Sequence, residues 1–147
     1  MNTTWLVIAN EINANIYKIN KKECEVIKNF KHPDSRLSDQ QLVSDRPGHY
    51  NTPDTSHGAY VPDSDPHALE QVIFAREIAR FLDHERTTEK YQHLIICAEP
   101  HFYGLLKNEM GVHVSKMIKN HYLKDYAHLE KNELQDIIKN IQNENTF

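Results

Sequence analysis

The sequence predicts a single α/β domain, residues 1–147, built on a five-stranded mixed sheet with about four helices. Three observations predict it. Trp5-Leu6-Val7-Ile8-Ala9 and Leu94-Ile95-Ile96-Cys97-Ala98 are unbroken apolar runs, the signature of strands buried on both faces. The first thirty residues hold three strand-like stretches joined by short polar connections, which predicts an antiparallel meander. From residue 66 onward, helical periodicity alternates with strand-like runs, as crossover units that add parallel strands require.

Taken in order, residues 4–10 read as a central strand. Residues 14–19 follow as a β-branched and aromatic strand carrying Ile16, Tyr17 and Ile19. Residues 24–30 alternate, which places Cys24, Val26 and Phe30 on one face. The links Glu11-Ile12-Asn13 and Asn20-Lys21-Lys22-Glu23 are too short for anything but hairpin turns. Residues 33–66 then hold five of the six prolines and two of the four glycines, without sustained periodicity beyond a short helical stretch near 37–43. A loop of this length inside a compact domain is uncommon and tends to be either functional or disordered.

Asp65 and Pro66 form a strong helix start, an N-cap followed by proline at the first helical position. Val72, Ala75, Ile78, Ala79 and Leu82 make the apolar stripe, with Phe74 and Phe81 beside it and Glu70, Glu77, Arg80 and His84 opposite. Residues 93–98 are the fourth strand. Pro100 opens a second helix with Phe102, Leu105 and Leu106; Gly111 punctuates it, and a short third helix with Val114, Met117 and Ile118 follows. Residues 121–126 read as the fifth strand. Leu134, Ile137, Ile138 and Ile141 recur at helical spacing and define the last helix. This order implies parallel strands four and five beside strand one, a ribonuclease-H-like arrangement.

Composition narrows the function. The chain has 147 residues, 39% of them hydrophobic, and a net charge of −4. A negative surface argues against general nucleic-acid binding, which needs cations to neutralise phosphates. Residues 33–66 contain six aspartates against two arginines, so this segment alone matches the charge of the whole chain. No apolar run is long enough to span a bilayer, and the first residues lack the positive region of a signal peptide, so the expected location is cytoplasmic. The two cysteines, Cys24 and Cys97, stand without neighbouring ligand motifs and are expected to be reduced core residues.

No motif fixes a reaction. A two-metal nuclease needs carboxylates converging at the ends of central strands. Asn10, Glu11, Glu99, Lys124 and Asp125 are the strand-end candidates, yet the first strand contains no acid. The plainer reading of these carboxylates is solvated loop residues. Of ten histidines, His32, His49, His57 and His67 lie in or beside the long loop among its aspartates; that chemistry suits a divalent metal, although no ligand spacing of a known site occurs. Nucleophile, phosphate-loop and dinucleotide motifs are absent. In Ser44-Asp45-Arg46-Pro47-Gly48, Asp45 can bond nearby amides, Arg46 offers a planar fork for a carboxylate or phosphate, and Gly48 closes a turn. Asp45, Arg46, Gly48, His57, Asp65 and His67 are therefore the loop binding candidates. No resident cofactor is expected.

The chain resembles the bacterial host attachment protein family. The resemblance rests on Trp5-Leu6-Val7-Ile8-Ala9 with Ala14 and Tyr17, on Leu42-Val43-Ser44-Asp45-Arg46-Pro47-Gly48, and on Asp65-Pro66-His67 before Phe74-Ala75. It continues through Pro100-His101-Phe102, Gly104-Leu105-Leu106, Lys124-Asp125, His128 and Glu133-Leu134, covering almost the full length. The family is similar to the central domain of archaeal and eukaryotic peptide-release factors, whose corresponding loop carries a Gly-Gly-Gln tip into the ribosome. Here that loop holds Ser56-His57-Gly58-Ala59 and no Gly-Gly-Gln, and Asn10 stands where relatives commonly show Asp. The resemblance implies a binding module acting on a ribosome or RNA-containing partner, rather than a peptidyl-tRNA hydrolase. Two alternatives stay open: a metal-dependent hydrolase or nuclease using these carboxylates, and an adhesion or regulatory protein that binds another protein.

Overall fold

The computed structural model describes residues 2–32 and 65–147. Five strands form one sheet: β1 (Thr4–Ala9), β2 (Asn13–Ile19), β3 (Cys24–Lys31), β4 (His93–Cys97) and β5 (Ile118–Tyr122), in the spatial order β3-β2-β1-β4-β5. β1 pairs antiparallel with β2 and parallel with β4, β2 pairs antiparallel with β3, and β4 parallel with β5. This is the mixed sheet that the meander and the crossover pattern predict. Among the described residues three helices cover it: α1 (Pro66–Thr87), α2 (Pro100–Ser115) and α3 (Lys131–Glu144).

β1 lies at the centre because its side chains need cover on both sides. Every residue of the strand is buried. Trp5, Val7 and Ala9 face a core formed with Phe74, Ile78 and Leu82 of α1 and Phe102, Leu106 and Val114 of α2. Leu6 and Ile8 face a smaller core with Tyr17, Ile19, Ile95 and Cys97, closed by Ile141, Leu134, Ile137 and Ile138 of α3. Each fully buried aliphatic side chain here contributes about 1.5–3 kcal/mol relative to exposure. Tyr91 packs its ring against Trp5, 4.9 Å between centroids, and its hydroxyl donates to the Leu82 carbonyl at 2.6 Å. That bond satisfies a buried polar group and fixes the end of α1 against the entrance to β4.

The two faces are covered unequally. Five strands at the usual spacing span roughly 19 Å, whereas one helix with its side chains is about 10–12 Å across. Two helices suffice for the first face. Among the described residues α3 is the one helix packed on the second face, and it is too narrow to reach across to the edge strand β3.

Four sequence expectations need correction. Gly111 does interrupt the helical geometry, but the piece beyond it ends at Ser115 without reaching Met117 or Ile118, and counted with it as one kinked helix α2 leaves three helices among the described residues where about four were expected. β5 begins at Ile118, earlier than residue 121, because Ile118 and Asn120 pair with Leu94 and Ile95. Cys24, Val26 and Phe30 do not share a face. A bulge at Ile27, between the pairs Tyr17↔Val26 and Ile16↔Lys28, reverses the alternation. Phe30 is buried towards α1, while Val26 and Cys24 turn to the α3 side and are exposed; Cys24 is therefore no core residue. Finally, Glu70 lies on the buried side of α1, where His32 Nε2 approaches its Oε1 at 2.6 Å.

Two glycines give opposite expectations. Gly111 has φ 77° and ψ 179°, a conformation open essentially only to glycine, and a Cβ there would meet nothing within 4 Å. Gly104 sits inside α2 with the same empty surroundings. Gly111→Ala should therefore destabilise by about 1–3 kcal/mol from backbone strain alone, and Gly104→Ala should stabilise by up to about 1 kcal/mol from helix propensity. Urea denaturation of the two variants beside the wild type checks both signs.

Cys97 gives a pH expectation. Burial pushes its thiol up to about 12 from an ordinary 9.0. The folded chain holds this proton at pH values where the unfolded chain has released it, so stability falls as pH rises from about 9 towards 12. The slope attributable to this group is about 1.4 kcal/mol per pH unit. Cys97→Ala should flatten the stability–pH curve above pH 9 by one proton's worth, whatever constant loss the substitution adds.

Candidate functional site

The parallel strands β1 and β4 and the chain leaving β5 all end at the same edge of the sheet, which is where open α/β sheets bind ligands. Residues far apart in sequence therefore meet there. Asn10, Glu11, Ile12, Glu99 and Asp125 line one pocket of about 250 Å³.

Asn10 organises this rim. Its Oδ1 accepts from the Ile12 and Asn13 amides, both at 2.9 Å, and so closes the β1–β2 turn. Its Nδ2 donates to Asp125 Oδ1 at 3.2 Å. Position 10 thus uses an acceptor and a donor at once, which asparagine supplies and an ionised aspartate does not. Asp125 also accepts from the Ala127 amide at 3.1 Å, and His128 Nδ1 stands 3.5 Å from the same oxygen.

Glu99 is the N-cap of α2. Its two carboxylate oxygens accept from the His101 amide at 3.1 Å and the Phe102 amide at 2.7 Å, satisfying two of the unpaired N–H groups of the first turn. Asp65 does the same for α1 through the His67 amide at 3.0 Å. Glu11 bridges towards α1: its Oε2 accepts from Gln71 Nε2 at 2.5 Å, and its Oε1 lies 3.6 Å from His67 Nε2. The Gln71 side-chain Oε1 in turn lies 3.1 Å from His101 Nε2, linking both helix starts to the end of β1. Beside this belt His32 stacks on Phe74 with 5.1 Å between ring centroids.

Of the strand-end candidates, four converge: Asn10, Glu11, Glu99 and Asp125. Lys124 is exposed and does not line the pocket. Among the loop candidates, Asp65 and His67 lie at the start of α1 within reach of this rim, whereas Asp45, Arg46, Gly48 and His57 fall outside the described residues, as does the short helical stretch expected near 37–43. Gln71, His101 and the His32–Glu70 pair escaped the sequence reading. A signal for two of them existed: the buried stripe of α1, carried back one turn from Phe74 and Ala75, lands on the polar Glu70 and Gln71. Polar residues on a buried face are the informative exception.

Chemically, the pocket is rich in acceptors and poor in donors. Its carboxylates are held in place by protein N–H groups, and among the described residues no group of three His, Cys, Asp or Glu side chains could hold a metal ion. What they can do as placed is accept from an ammonium or guanidinium group.

A mixed five-stranded sheet with acceptors gathered at its carboxyl edge defines an α/β protein with a polar rim. The sequence places it further: the family described as "Protein required for attachment to host cells" matches residues 5–138, and the chain belongs to that family. No curated protein matches it. No described helix is long and apolar enough to cross a membrane.

Asn10→Asp tests the rim. It replaces a donor with a second carboxylate about 3.2 Å from Asp125, and the cost should be about 1–3 kcal/mol at pH 7. Like charges at this distance raise the pKa of one partner, so the loss should shrink as pH falls towards 4. Adding Asp125→Asn to the same chain should restore most of the stability, measured by urea denaturation at both pH values.

Proposed function

We propose that this chain is a cytoplasmic binding module that meets its partner with the carboxyl-edge rim and does not hydrolyse it. The partner is a ribosome or another RNA-containing particle, approached through the basic protein on its surface. One observation carries the reading: Glu99, Asp125 and Glu11 are fixed acceptors, each already aligned by a cap or a side-chain hydrogen bond. Fixed carboxylates repel phosphates and attract lysine and arginine, so the contact falls on protein and not on nucleic acid. The absence of Gly-Gly-Gln from the sequence supports binding over peptidyl-tRNA hydrolysis. The exposed, unpaired Cys24 supports a reducing compartment.

Sedimentation of lysate ribosomes in low salt, followed by blotting, tests this. The protein should travel with a ribosomal fraction, leave it as salt screens exposed charges over about 10 Å at 0.1 M, and be released by Glu11→Lys. Absence from every ribosomal fraction would remove the reading. A second reading, a divalent-metal hydrolase or nuclease, would draw on the same carboxylates, although among the described residues no three such side chains are placed to hold a metal ion. Mn²⁺-dependent cleavage by untagged protein, lost in Glu11→Gln and Asp125→Asn, would establish it; activity that survives both substitutions places the chemistry elsewhere. An adhesive role through another protein requires the chain at the cell surface, which fractionation reads directly.

A further inference from the structure

We infer a second binding site, for a small anionic amphiphile, in the groove between α3 and the β2–β3 hairpin. It shares no lining residue with the rim and does not depend on the function proposed there.

Among the described residues α3 leaves part of its face open, and the bulge at Ile27 turns the first half of β3 towards that space. Its apolar part is Val26, 54% exposed, with Tyr17, Leu134 and Ile138. Its volume is about 460 Å³, within the roughly 300–1,000 Å³ typical of small-molecule pockets. An amphipathic helix in a groove needs a longer track to seat successive anchors. The occupant is therefore a small molecule.

Charge decides which kind. Among the described residues, Lys22, Lys131 and Lys139 line the groove with Asp136 as the only acid, a net charge of +2 in a protein of −4 overall. Among the described residues, none of these three ammonium groups has a hydrogen bond or ion pair. Lys21, by contrast, is used structurally: its ammonium donates to the Gln142 and Asn145 carbonyls at 3.0 and 3.2 Å. Unpaired cations around an apolar floor match an anionic head on a hydrocarbon tail, the chemistry of a fatty acid. Cys24 lines the same groove, and desolvation there pushes its thiol up to about 11, in keeping with a sulfur set against apolar neighbours although the residue as a whole is exposed.

Cys24 also serves as the reporter. The full chain is titrated with octanoate, decanoate and decyltrimethylammonium below their micellar concentrations, while the reaction of Cys24 with a thiol reagent is followed. Decanoate should protect Cys24 at micromolar to millimolar levels and more weakly at high salt. It should bind about tenfold tighter than octanoate, since each buried methylene is worth a factor of roughly three to four. The cationic analogue should protect little. Lys139→Glu and Val26→Asp, both at solvent-facing positions, should each weaken protection about tenfold or more with an unchanged circular dichroism spectrum and melting temperature. Lys107→Glu on α2 should change nothing. Equal protection by the cationic analogue, or none by decanoate at 1 mM, would overturn the inference. So would saturable protection by an acidic peptide without any response to decanoate.

Discussion

β1 has no side turned to water, and the rest of the molecule is arranged around that condition. Its six residues are buried on alternate faces, so helices are required above and below it, and its backbone must be paired along both edges. β2 satisfies one edge by a tight antiparallel turn. β4 satisfies the other in parallel, which forces a long connection and brings α1 over the sheet. The same requirement creates the rim, because a parallel neighbour ends beside the strand it accompanies. Asn10 and Glu99 are close for no other reason than that β1 and β4 run the same way.

The rim shows how capping and binding chemistry overlap. Glu99 and Asp65 occupy positions that two helix starts need for stability. Their carboxylates are thereby held in one orientation, which is what a binding surface requires of its acceptors. Asn10 adds a turn closure and a tether to the segment after β5. A substitution at any of these positions changes local stability and the character of the rim together, so a loss of binding there is interpretable only beside a stability measurement.

The sequence disclosed the parts of the fold governed by local pattern. The runs Trp5–Ala9 and Leu94–Ala98 announced the two central strands, and Asp65-Pro66 announced the start of α1 to the residue. The strand-end placement of Asn10, Glu11, Glu99 and Asp125 was legible as well, because strand ends follow from topology, although the plainer sequence reading was of solvated loop residues and their meeting in one pocket came from the structure. What stayed hidden depends on partners outside the local window. The bulge at Ile27 is a property of the pairing between β2 and β3, and β3 taken alone alternates like any regular strand. The start of β5 hid for a similar reason: Ile118 read as part of a helix until β4 supplies an edge for it. The role of Gln71 depends on Glu11, which lies sixty residues earlier in the chain.

The bulge has a consequence for the company this sheet keeps. Among the described residues β3 is an edge strand of eight residues with no strand paired to its outer side, and an edge of that length offers N–H and C=O groups to any extended chain that drifts against it. The inserted residue breaks that evenly spaced row near its middle and twists the two halves out of line. A second strand arriving from solution finds two short, mismatched stretches instead of one continuous template. The irregularity that opens a groove on one face thus also discourages fibre-like growth from the margin of the sheet.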